Sequence, residues 1–275
     1  MSAMARRAVL PPALLFAALL PAAIRPAQGA AAPAAPQTLT LTVTDTAGLP
    51  PIRPDACPLI PGDVGAAPPL VHVRAALKAG GRLDVLAVGS GTVLGPEATH
   101  PEASFPYRMA QAIRAAAPQT TVVLTLRGGR GLTAEEMLSL LDSALAEHAY
   151  QLVLWQTGTV EAVHGLPVEA LSRALGSGAE RVRTAGADLV LIDPQFSRFL
   201  RANANLRPYE AALTQAAGLP GVTLFHRFDL MHAWVDQGGV DLERAERDQR
   251  EKTADELHLC LGRALARMVL QGAGQ

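Results

Sequence analysis

Val85-Leu86-Ala87-Val88-Gly89-Ser90-Gly91-Thr92 is a run of four apolar residues with no polar alternation, closed by a glycine-bearing turn. A short apolar run bounded in this way reads as a strand buried on both faces, the kind found in parallel sheets. Comparable runs recur at 121–126, 152–155, 189–192 and 222–225. Helical patterns fill the intervals at 104–116, 134–148, 168–185 and 209–217, with a short helix at 71–79 before the first run. Two or three further helices, the last over 255–270, close the chain. The helix beginning at 134 has Thr133 and Glu136 in capping-box spacing and sets Met137, Leu140, Leu141, Ala144 and Leu145 on one face. Pro167 is expected at the first helical position of the next one. Strands alternating with helices of this length predict an α/β fold: a five-stranded, mainly parallel sheet between two helical layers.

Outward from this core, composition narrows the functions available. The chain has 275 residues, 49% of them hydrophobic and only 4% aromatic, with 24 Lys+Arg against 25 Asp+Glu. With no long basic run and few rings for bases to stack on, nucleic acid is not expected as a partner. Arg6 and Arg7 precede an apolar stretch at 13–20, Pro21 and small residues ending at Gly29 and Ala30, the order of a secretory signal. The expected division is a signal peptide at 1–29, an Ala/Pro-rich arm at 30–80 and the α/β domain at 81–275. The apolar stretch is too short for a stable membrane span, so the mature chain is expected in the periplasm or secreted. Losing Arg6, Arg7 and Arg25 moves the net charge from −1 to −4. In an oxidising compartment Cys57 and Cys260 are candidates for a disulfide tying the arm to the last helix; two separately buried thiols are the alternative.

Ligands of open α/β sheets bind beyond the carboxyl ends of the strands, so the residues following each run matter most. The first ends in Gly89-Ser90-Gly91-Thr92, the second in Arg127-Gly128-Gly129-Arg130-Gly131, the third in Gln156-Thr157-Gly158-Thr159. The last helix opens with Asp255-Glu256-Leu257-His258. A serine, a histidine three residues after an acid, and glycine N–H groups on one rim are the parts of a nucleophile, a base, an orienting carboxylate and oxyanion donors.

The order of these pieces resembles the SGNH (GDSL-like) hydrolase family over roughly residues 83–270. The segment from Val85 to Thr92 is similar to that family's first block, a strand running into Gly-Asp-Ser. Gly128 matches the glycine of the second block, and the stretch from Leu152 to Thr159 matches the third, which normally continues to Asn-Asp. Asp255 and His258 stand in the Asp-x-x-His order of the last block. The resemblance implies a flavodoxin-like three-layer fold and hydrolysis or transfer of ester-linked acyl groups, on carbohydrate or small esters, without a cofactor. Ser90, Asp255 and His258 would then be catalytic, with Ser90, Gly128 and Gly158 at the oxyanion. Two positions depart from the family: aligned without a gap, the nucleophile falls on Gly91 and the block-three asparagine on Val160. Two functions follow, an ester hydrolase or acyl transferase using Ser90, or a catalytically inactive relative that binds glycans or an envelope partner. Gly129-x-Gly131-x-x-Ala134 is a weak dinucleotide fingerprint, because no acidic residue closes the next strand. The histidines show no metal-ligand spacing, so no metal is expected.

Overall fold

The structure, a computed structural model, describes residues 35–43, 57, 68–95 and 99–275. The expected signal peptide at 1–29 lies outside them. Among the described residues, β1 (Gln37–Thr42), β2 (Gly81–Gly89), β3 (Thr120–Gly128), β4 (Leu152–Gln156), β5 (Asp188–Ile192) and β6 (Val222–Phe225) form one sheet in the order β1-β3-β2-β4-β5-β6. The five apolar runs are the parallel strands they predict. The sheet has one strand more than expected: β1, from the arm, pairs antiparallel with β3, Gln37 opposite Gly128 and Thr42 opposite Val123. Its Thr-Leu-Thr-Leu-Thr alternation is that of a half-covered edge strand, with only Leu39 and Leu41 packed on the core.

The helices are α1 (Val71–Ala79), α2 (Phe105–Ala116), α3 (Ala134–Glu147), α4 (Thr159–His164), α5 (Val168–Thr184), α6 (Arg198–Asn203), α7 (Arg207–Ala216), α8 (Arg227–Asp236) and α9 (Arg250–Gly272). Successive strand residues serve opposite layers. Leu83, Val85 and Ala87 of β2 pack with Met109 of α2 and Leu261 of α9, whereas Leu86 and Val88 pack with Met137 of α3 and Leu175 of α5. This period-two division is why the runs are largely apolar, with threonine their one polar residue type: both sheet faces are roofed by helices.

Local chemistry fixes the helix starts. Thr133 and Glu136 make the reciprocal capping box at α3, and Asp188 accepts the N–H groups of His72 and Val73, both at 2.9 Å, at the head of α1. Pro167 sits one position earlier than expected, at the cap of α5. A disulfide joins Cys57 to Cys260 of α9, with their Cα atoms 5.2 Å apart. Among the described residues no helix is long and apolar enough to cross a membrane.

From β2 the chain crosses to one side to form β3 and then to the other to form β4. That reversal opens a crevice at the carboxyl ends of these strands, the place where such sheets hold ligands.

Candidate functional site

A cavity of about 440 Å³ occupies this crevice. Ser90 and Gly91 follow β2 into its wall, Arg130 follows β3, Val160 lies in α4, and Phe196 follows β5. Arg227, at the head of α8, and Leu257 and His258 of α9 close it. The structure thus brings Ser90 and His258 to one cavity together with Gly91 and Val160, the two positions that depart from the family pattern. Gly128 and Gly158 are not in its lining. A Cβ on Gly128 would lie 2.5 Å from the Gly89 carbonyl oxygen, so this glycine lets neighbouring strand ends approach. Gly158 caps α4 at φ 93°, a backbone conformation that favours glycine.

The hydrogen bonds around these groups are not those of a serine relay. Ser90 Oγ accepts from Gln156 Nε2 at 3.0 Å, and the same amide accepts from Thr92 Oγ1 at 2.5 Å. No hydrogen bond joins Ser90 to His258 among the described residues. His258 Nδ1 accepts the Phe105 backbone N–H at 3.0 Å, and the Phe105 ring stacks on the imidazole. In a neutral imidazole one nitrogen donates and the other accepts, so Nε2 carries the proton. The proton-accepting nitrogen is therefore spent on the backbone. Asp255 is engaged elsewhere: its carboxylate accepts from Thr99 N at 3.1 Å and Thr99 Oγ1 at 2.8 Å. Burial, then the charge of Arg227, lower the His258 pKa to about 4 against the opposing pull of Asp255. At neutral pH the ring is uncharged.

Val160 cannot donate as the family asparagine does. Glu161, in the next position, is buried and accepts the N–H of Ala134, so the acid of the third block serves as a cap for α3.

Several polar groups of the cavity carry no motif. Arg227 is 2% exposed, and its Nε and Nη2 have no hydrogen-bond partner among the described residues. Burial lowers its pKa to about 10, which leaves it a cation. Behind it, Asp193 is pushed up to about 7, chiefly by burial, and its Oδ1 accepts the Phe228 N–H at 2.9 Å. Glu243 accepts from Ser197 Oγ at 2.6 Å and Arg198 N at 2.8 Å. The signal that could have found Arg227 is its position directly beyond a buried strand, at the edge where ligands bind. Among the described residues no three His, Cys, Asp or Glu side chains gather as metal ligands would.

The fold has relatives among solved structures. A two-domain esterase active on acetylated mannans, crystallised with mannopentaose, superposes with a TM-score of 0.59 at 14% identity, over 78% of this chain and 56% of that one. An acetyl-xylooligosaccharide esterase variant from Geobacillus gives 0.55 at 13% identity, over 68% and 94%. A protein assigned to the lipolytic G-D-S-L family from Desulfitobacterium hafniense DCB-2 gives 0.51 at 17% identity, over 67% and 98%. No curated protein sequence matches the chain. The profile of the Non-GDSL lipase-like family matches residues 56–275, which span all five parallel strands, the cavity and both cysteines. With the SGNH architecture in place and the Gly-Asp-Ser signature absent, the chain belongs to the Non-GDSL lipase-like family.

Proposed function

We propose that this protein is an exported binding protein on an SGNH scaffold, whose cleft holds a small molecule of glycan or ester type without cleaving it through a serine. The observation that carries this reading is the hydrogen bond from Phe105 N–H to His258 Nδ1. A relay histidine donates a hydrogen bond from Nδ1–H to a carboxylate and keeps Nε2 free to take a proton from the nucleophile. Here both nitrogens have the opposite assignment, and Asp255 holds Thr99 instead. Gly91 and Val160 agree with it: one removes the hydroxyl from the family's nucleophile position, the other an oxyanion donor. Loss of a single such donor typically slows acyl transfer about 100- to 1,000-fold.

The signal-like order at 1–29, followed by the arm at 30–80 and the domain at 81–275, supports export. A disulfide agrees with an oxidising compartment. The glycan part of the reading is supported by neighbours of similar fold that act on acetylated mannans and acetylated xylooligosaccharides.

Ester hydrolysis by Ser90, with Gly128 and Gly158 near the oxyanion, is the second reading, favoured by the presence of Ser90 and His258 in one cavity. Mature protein assayed with p-nitrophenyl acetate and a serine-reactive fluorophosphonate, beside Ser90→Ala and His258→Ala, separates the two. The binding reading predicts equal background rates in all three and no labelling. Turnover that disappears in both variants would establish the hydrolase instead.

A further inference from the structure

Arginine takes a carboxylate most strongly through two parallel N–H groups on one edge of its guanidinium. Among the described residues two pairs show that edge in use. Arg82 holds Asp84 through Nε at 2.6 Å and Nη2 at 2.7 Å, and Arg183 holds Glu180 through Nε at 2.9 Å and Nη2 at 2.7 Å. In Arg227 the corresponding Nε and Nη2 are the two atoms left without a partner, although the side chain is 2% exposed and lines the cavity. A buried guanidinium with an unpaired edge costs stability, and among the described residues the charge of Asp193 offsets it without a hydrogen bond to that edge.

The surroundings favour an anion at this end of the cavity. Among the described residues its lining holds Arg130 and Arg227 beside the acid Glu243, whose oxygens are taken by Ser197 and Arg198. Asp193, the acid nearest in effect to Arg227, gives one oxygen to the Phe228 N–H, and its other oxygen faces His226 at 3.9 Å. Thr159, also in the lining, has a buried hydroxyl without a partner. The volume, about 440 Å³, lies in the usual range for small-molecule sites, about 300–1,000 Å³.

We propose that the cleft binds a small molecule bearing a carboxylate, held by the guanidinium of Arg227 with Arg130 at the exposed rim. This rests on the reading that the cleft binds a ligand and is independent of whether an ester is cleaved. The hydroxyls of a neutral sugar can accept from Arg227 but leave its charge uncompensated, whereas a carboxylate supplies acceptors and the opposite charge.

Calorimetric titration of the full mature protein with D-glucuronate, succinate, D-glucuronamide and inorganic phosphate tests it. A carboxylate is expected to bind, and glucuronamide, of the same shape without the charge, at least tenfold more weakly. Arg227→Met is expected to lose binding tenfold or more and Arg130→Gln several-fold; the second variant alters an exposed residue and keeps the test open should the first not fold. Failure of both carboxylates to bind folded wild-type protein would overturn the proposal. So would equal binding of the amide, carboxylate binding unchanged by Arg227→Met, or Arg227-dependent binding of phosphate alone. Amide binding that ignores Arg227 would leave the binding reading standing without this ligand class, while ester turnover would remove that reading and not this one.

Discussion

His258 and Asp193 are buried groups whose burial acts in opposite directions on the stability of the fold. His258 titrates at about 4 in the folded chain, below the ordinary histidine value of about 6.5. Between those values the unfolded chain binds the extra proton, so this contribution is complete above about pH 6.5 and is lost as pH falls towards 4. Its upper limit is about 3 kcal/mol. Asp193, raised to about 7, works the other way: the folded carboxyl keeps a proton that the unfolded one has released, so stability falls as pH rises from about 4 to 7. The two nearly oppose one another over the same interval. Replacing His258 by Gln should uncover the Asp193 slope, with urea midpoints declining from pH 4.5 to 7.5, while Asp193→Asn should give midpoints that climb. Flat profiles in both variants would show that neither group is perturbed as the packing implies.

Helix pairing is where glycine matters most. A Cβ on Gly262 of α9 would lie 2.4 Å from Arg108 Cβ and 2.8 Å from both Met109 N and Phe105 O of α2. Two of those atoms are backbone, so the clash is relieved only by separating the helices. Gly262→Ala should lower stability by about 1–3 kcal/mol despite alanine's better helix propensity, and thermal or urea unfolding would register it; an unchanged midpoint would contradict this packing. The same contact presents Phe105, whose N–H determines the His258 tautomer. Elements also differ in how far they were legible. The five parallel strands and the longer helices were readable because two-sided burial and a helical period each leave a mark over several residues. β1 was not, since Thr38 to Thr42 alternates around two half-covered leucines and its partner β3 lies some eighty residues away. α4 and α6, six residues each, are too short to show a period.

For the whole molecule, the family order of blocks made the location of the cleft legible, because ligands of this sheet topology lie beyond the carboxyl strand ends. Its chemistry was legible only where a motif position changed, at Gly91 and Val160. The partners that set its character are long-range and partly backbone. Phe105 N lies 153 residues before His258, and Thr99 lies 156 before Asp255. No local spacing encodes such pairs, and Arg227 belongs to no motif at all. On the proposed function this scaffold kept the cleft and gave up the relay, and the tautomer of one ring decides that. Long-range nitrogen–proton correlation spectra of the His258 imidazole should show Nε2 protonated and Nδ1 bare, with the ring neutral down to about pH 4. A proton on Nδ1, with Nε2 free and titrating near the ordinary value, would contradict the account.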